Sequence, residues 1–104
     1  MEYWVYILKC ADGSYYTGST SNLDLRVRQH MLGSVNSYTK NRLPVELVYA
    51  ESCDSPRQAM AWEKQIKGWS RAKKEALMRG DFDALVELSK SKSNRDTNGV
   101  EARK

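Results

Sequence analysis

Residues 3 to 18 constrain this chain more than any other stretch. The run Tyr3-Trp4-Val5-Tyr6-Ile7-Leu8-Lys9-Cys10 is dense in aromatic and β-branched side chains, and Ala11-Asp12-Gly13 separates it from Tyr16-Thr17-Gly18. Such a pattern predicts a β-hairpin. Even positions (Trp4, Tyr6, Leu8, Cys10) and odd positions (Tyr3, Val5, Ile7) are both apolar, which suits a central strand covered on its two faces. Turn length then decides where the tyrosines point. A two-residue Asp12-Gly13 turn sets Leu8 opposite Thr17 and sends Tyr6 and Tyr16 to opposite faces, since side chains alternate. A three-residue loop with Gly13 in the left-handed position sets Leu8 opposite Tyr16 and Tyr6 opposite Gly18. The second register is the expectation here. It puts both phenols on one face, and Gly18, with no side chain, leaves open backbone that a bulky ligand can approach.

At 104 residues the chain has room for one modest core. Its 40% hydrophobic and 29% charged content suits a globular domain. No run of about 18 apolar residues occurs and Met1-Glu2-Tyr3 is no basic leader, so neither membrane span nor signal peptide is expected, and the cytoplasm is the default location. Cys10 and Cys53 lie far apart and read as small buried strand residues. The net charge of +4 is unevenly spread. Residues 90 to 104 carry Lys90, Lys92, Arg95, Arg103 and Lys104 against Asp96 and Glu101, and lack apolar periodicity. They are expected to form a disordered basic tail behind a domain of residues 1 to 89. Lys64, Lys67, Arg71, Lys73, Lys74 and Arg79 face only Glu75 within residues 64 to 79. That excess fits a phosphate-facing surface or a solvated helix face equally well.

Between hairpin and tail the elements follow from caps and periodicity. Ser19-Thr20-Ser21-Asn22 opens a helix whose core stripe is Leu23, Val27 and Met31, with Arg26 and His30 sharing another face and Gly33 ending it. Ser34 to Pro44 reads as a long loop, and Val45 to Glu51 as a third strand. Ser55-Pro56-Arg57-Gln58 starts a helix to about Lys67 lined by Ala59, Trp62 and Ile66. Gly68 stops it, Ser70 caps a basic helix to about Arg79, and a short helix spans Phe82 to Leu88.

The titratable groups able to converge are Tyr6, Tyr16, Arg26, His30 and Glu63. Singly, each has an ordinary explanation: a core tyrosine with a wet end, a surface cation, a structural histidine. Glu63, beside Trp62 and Ile66, reads either as the i,i+4 partner of Lys67 or as the lone carboxylate of a hydrated Mg²⁺ site completed by substrate phosphate.

Together these residues resemble the GIY-YIG nucleases, which include homing endonucleases, some restriction enzymes and the N-terminal domain of the repair protein UvrC. The likeness covers roughly residues 3 to 80. Tyr16-Thr17-Gly18 fits the second name-motif and Trp4-Val5-Tyr6 the first at its tyrosine, with Trp4 standing where the name has glycine. Gly18-Ser19-Thr20-Ser21-Asn22-Leu23 leading to Arg26 and His30 matches the following motif, and Glu63 falls at the family's metal-binding glutamate. Tyr38-Thr39-Lys40 and Glu63-Lys64-Gln65-Ile66-Lys67 point to the small single-domain branch.

The resemblance implies an α+β fold, a small three-stranded antiparallel sheet flanked by about four helices. It implies a DNA endonuclease of repair or recombination that hydrolyses a phosphodiester with one Mg²⁺ or Mn²⁺. Tyr6 or Tyr16 is then the general base, Arg26 the phosphate stabiliser, His30 a hydrogen-bonding aid and Glu63 the metal ligand. Arg28, Thr39, Lys40, Lys64 and Lys67 are expected to contact phosphates, and Gly18 to serve structure. A phenol of pKa ~10 must become roughly 3 units more acidic to ionise at neutral pH, about 4 kcal/mol. Larger members add a later asparagine; here Asn94 and Asn98 fall in the tail. DNA is the expected substrate, branched and single-stranded forms included, with target selection left to DNA structure, to a protein partner, or to hardly any selection at all. The competing expectation is a non-catalytic nucleic-acid-binding module that keeps the fold.

Overall fold

The computed structural model describes residues 2–34 and 37–88. The chain divides into two compact units, one ending at Gly68 and the other starting at Trp69.

The first unit is an α+β layer structure around a three-stranded antiparallel sheet of order β2-β1-β3, with β1 Tyr3–Lys9, β2 Tyr15–Thr20 and β3 Glu46–Cys53. The apolar first run is the central strand: Val5, Ile7 and Leu8 are fully buried and Tyr6 is 1% exposed. Burying each such side chain contributes about 1.5–3 kcal/mol. Leu8 pairs with Tyr16 and Tyr6 with Gly18, the three-residue-loop register. Gly13 takes φ +86, and Cys10 N–H donates to Ser14 O across the loop. Asp12 Oδ1 accepts from both the backbone and the hydroxyl of Ser14, which tightens the turn.

One sheet face carries Tyr6, Leu8, Cys10 and Val45, packed against Tyr16, Leu23, Val27 and Tyr38. Leu23 and Val27 come from α1 (Leu23–Met31), capped by Asn22, whose side chain accepts from Leu25 N–H. The expected third member of its stripe is wrong: Met31 is 49% exposed and His30, 1% exposed, faces inward. The step from Val27 to His30 is i+3, which follows a 3.6-residue helix as well as i+4 does. The expected loop after Gly33 also needs correction, because it holds a one-turn helix, α2 (Ser37–Lys40). The other sheet face is covered by α3 (Pro56–Lys67), which packs on all three strands and buries Ala59 and Ile66. Ser55 caps α3 and Pro56 opens it, as the sequence indicates.

In the second unit α4 (Arg71–Arg79) is capped by Ser70 and ends at Gly80 in the left-handed conformation, φ +71. Residues 82–88 are helical, and Asp81 Oδ1 accepts from Ala84 N–H at their start. Much of the cationic excess proposed for phosphate contact is engaged locally. Lys73 is 8% exposed with its ammonium 4.5 Å from the Trp69 ring centroid, Arg71 pairs with Glu75 and Arg79 with Asp81. The proposed tail, 90 to 104, lies outside the described residues.

Candidate active site

Because β1 and β2 keep the long-loop register, Tyr6 and Tyr16 stand on one face, their ring centroids 6.4 Å apart. The α1 helix adds His30 to the same cluster, 5.7 Å from the Tyr6 ring and 5.1 Å from that of Tyr16. Tyr6 Oη lies 2.9 Å from His30 Nε2, and His30 Nδ1 lies 2.8 Å from Thr39 Oγ1. All three residues are at most 1% exposed.

Gly18 makes this arrangement fit, in a way the sequence did not indicate. A Cβ at residue 18 would lie 2.5 Å from Tyr6 Oη and 2.7 Å from its Cζ. The bare backbone is therefore filled by Tyr6 itself and is not open to a ligand.

The electrostatics favour neutral rings. Burial, reinforced by Tyr16, pushes the Tyr6 phenol well above its usual range, opposed by the charge of Arg26 and a hydrogen bond from it. The chain's own groups therefore do not supply the acidification that a tyrosinate at Tyr6 needs. Burial, and next the Arg26 guanidinium, hold His30 below the ordinary histidine value, so its imidazole is neutral at pH 7.

Glu63 stands on α3, over the opposite sheet face, and meets β2 at Ser19. Its Oε1 accepts from Ser19 Oγ at 2.6 Å, and Oε2 pairs with Lys67 Nζ at 2.8 Å. Its charge raises the Tyr6 phenol, which places it within electrostatic reach. Of the two expectations for Glu63, the i,i+4 pair with Lys67 is formed. Lys67 is raised in turn, first by its hydrogen bond to Glu63.

A model of the GIY-YIG catalytic domain matches residues 2–76. The chain belongs to the GIY-YIG family. A UPF0213 protein of Natronomonas pharaonis is 49% identical over 77 residues, 74% of this chain and 91% of the relative. A UPF0213 protein of Halalkalibacterium halodurans is 41% identical over 92 residues, 86% of this chain and 98% of the relative. The solution NMR structure of a UPF0213 protein from Bacillus halodurans superposes with a TM-score of 0.51 at 41% identity, covering 86% of this chain and 98% of that one. The small GIY-YIG fold and the nuclease-type family are therefore those of this chain. No helix among the described residues is long and apolar enough to cross a membrane.

GIY-YIG nucleases generally use divalent metals. Glu63 suits a magnesium-like ion that keeps most of its waters, since it offers one carboxylate with a side chain 19% exposed. The ammonium of Lys67 already supplies the positive charge this carboxylate attracts. Among the described residues no three His, Cys, Asp or Glu side chains gather as a metal cluster.

Of the residues expected to touch phosphates, Arg28, Lys40, Lys64 and Lys67 are exposed. Thr39 is not: it is fully buried and its hydroxyl faces His30, so the surface role expected for it is corrected to an interior one. Arg26 is half-buried beside Tyr6. Sequence reasoning missed Ser19, whose signal was strand alternation: it pairs with Val5 and so faces α3. It also missed Arg42, which stacks 3.9 Å over the Tyr38 ring and bonds Asp12 Oδ2 at 3.0 Å. That pair spans 30 residues, and nothing in local periodicity announces it.

Proposed function

We propose that this chain is a divalent-metal-dependent DNA endonuclease. The observation that carries the reading is the buried Tyr6, His30 and Thr39 hydrogen-bond chain beside Tyr16, with Arg26 and Glu63 both within electrostatic range of Tyr6.

Because Tyr6 is a neutral phenol and His30 a neutral imidazole, the pair acts best as a relay. A water oxygen attacks phosphorus and its proton passes to Tyr6 Oη as the Tyr6 proton moves to His30 Nε2. The P–O3′ bond breaks as O3′ takes a proton from solvent, giving a 3′ hydroxyl and a 5′ phosphate, and the imidazolium later returns its proton to solvent. Arg26, whose charge already acts on Tyr6, neutralises charge on the phosphoryl oxygens. Glu63 would hold a divalent ion, which when bound would supply Lewis acidity toward the phosphodiester. Arg28, Lys40, Lys64 and Lys67 present cations to the DNA backbone, and residues 90 to 104 are proposed as a basic tail that adds to non-specific affinity. Target choice then falls to DNA structure or to a protein partner.

One observation favours the second reading, a nucleic-acid-binding module without catalysis: Lys67 already occupies the carboxylate that the metal needs. Incubating the protein with branched, flapped and single-stranded DNA in Mg²⁺ or Mn²⁺ separates the two. Cleavage by wild type, lowered about 10²–10³-fold by Arg26→Ala and abolished by Glu63→Ala, is expected of the endonuclease. Salt-dependent binding with no cleavage of any substrate would establish the module instead.

A further inference from the structure

His30 is the only histidine of the chain, and both its ring nitrogens are engaged, Nε2 with Tyr6 and Nδ1 with Thr39. A neutral imidazole has one donor and one acceptor nitrogen, so these two contacts are not independent. The partner at Nδ1 decides what Nε2 can do. The groups that face the ring are Tyr6 from β1, Tyr16 from β2, Thr39 from α2 and Arg26 from its own helix. With the Arg26 guanidinium acting on the Tyr6 oxygen, the phenol's own hydrogen is the one offered to Nε2, 2.9 Å away. The ring proton then belongs on Nδ1, where the Thr39 hydroxyl accepts it.

A deliberate scaffold delivers that hydroxyl. A single helical turn such as α2 does not hold itself in water. Arg42 ties it down: its ring-stacked guanidinium donates from one terminal nitrogen to Tyr38 O at 2.9 Å and from Nε to Asp12 Oδ2 at 3.0 Å. Its carbonyl accepts from Ala11 N–H at 2.9 Å, and its own N–H donates to Thr39 O at 3.0 Å. The hairpin turn that sets the tyrosine register therefore also anchors the segment bearing Thr39.

We propose that Thr39 is a positioning residue, held in place by the Asp12, Arg42 and Tyr38 clamp, which sets His30 in the Nδ1-protonated tautomer and so keeps Nε2 as the acceptor of the Tyr6 proton. The inference rests on the endonuclease reading for its consequence in catalysis, though not for the tautomer itself.

Long-range ¹H–¹⁵N spectra of the ¹⁵N-labelled full chain report the tautomer directly, because a single histidine gives a single imidazole pattern. The expected result is a protonated Nδ1 and an unprotonated Nε2 in wild type. Thr39→Val should make the Nε2-protonated form dominant and lower single-turnover cleavage by at least about tenfold, out of the roughly 10²–10⁴ a positioned acid–base pair supplies, with KM unchanged. Thr39→Ser should restore both. An Nε2-protonated ring in wild type, or an unaltered tautomer in Thr39→Val, overturns the proposal, and Thr39→Ala carries the same comparison if the valine variant does not fold. Absence of cleavage by wild type would overturn the endonuclease reading alone, with the spectra still deciding the role of Thr39.

Discussion

The tightest constraint at the residue scale is the fit of Tyr6 against Gly18. No rotation of a ring that is 1% exposed clears a methyl placed 2.5 Å from its hydroxyl, so Gly18→Ala must shift either the ring or the strand. Overpacking of this kind costs about 1–3 kcal/mol. A lowered urea midpoint and a displaced His30 imidazole signal are the expected readings; a midpoint equal to wild type would show that the site yields more easily than its packing indicates. At this scale the sequence was a partial guide. It named Tyr6, Tyr16, Arg26, His30 and Glu63 by residue type and spacing. It could not tell that the space over Gly18 belongs to Tyr6, or that the Tyr6 phenol is pushed up, because both depend on what surrounds the ring after folding. Thr39 was misjudged for the same reason: a threonine between Tyr38 and Lys40 looks polar and exposed until the packing of α2 is known.

Elements were far more legible than contacts. The hairpin, β3, α3 with its Ser55 cap, α4 with its Ser70 cap and the helical stretch 82–88 all follow from caps, turn residues and apolar spacing, which are local signals. The element that escaped was α2, whose four residues have no stripe of their own and are held by a distant arginine. Its stability should therefore depend on that arginine rather than on helix propensity. Arg42→Ala removes the ring stacking, about 0.5–1 kcal/mol at an exposed site, together with the solvent-facing ion pair to Asp12. Amide hydrogen exchange is expected to speed up across Ser37–Lys40 while α3 keeps its protection. Uniform loss across both helices would mean that Arg42 supports the whole unit and not α2 in particular.

For the molecule as a whole, the buried neutral imidazole couples stability to pH. The folded chain holds His30 below its ordinary value of about 6.5, so in acid the unfolded chain binds a proton that the folded one refuses. Stability is then fully present above about pH 6.5 and declines as pH falls from there toward the depressed folded value. Urea unfolding at pH 7.5 and 5.5 should show this decline in wild type, and His30→Gln should flatten it. An equal slope in both proteins would assign the acid sensitivity to carboxylates. Family membership was readable from motifs that span most of the first unit, whereas the bond between Ser19 and Glu63, 44 residues apart, needed three dimensions.

The turn between β1 and β2 has one more implication. Pairing across it works like a reading frame: a slip of one residue in either direction would carry Tyr16 beneath α3 and bring Thr17 or Tyr15 to the His30 face, with no change in composition. Among relatives of this chain, a hairpin paired one residue out of this register therefore marks a protein that has kept its tyrosines and lost their meeting point.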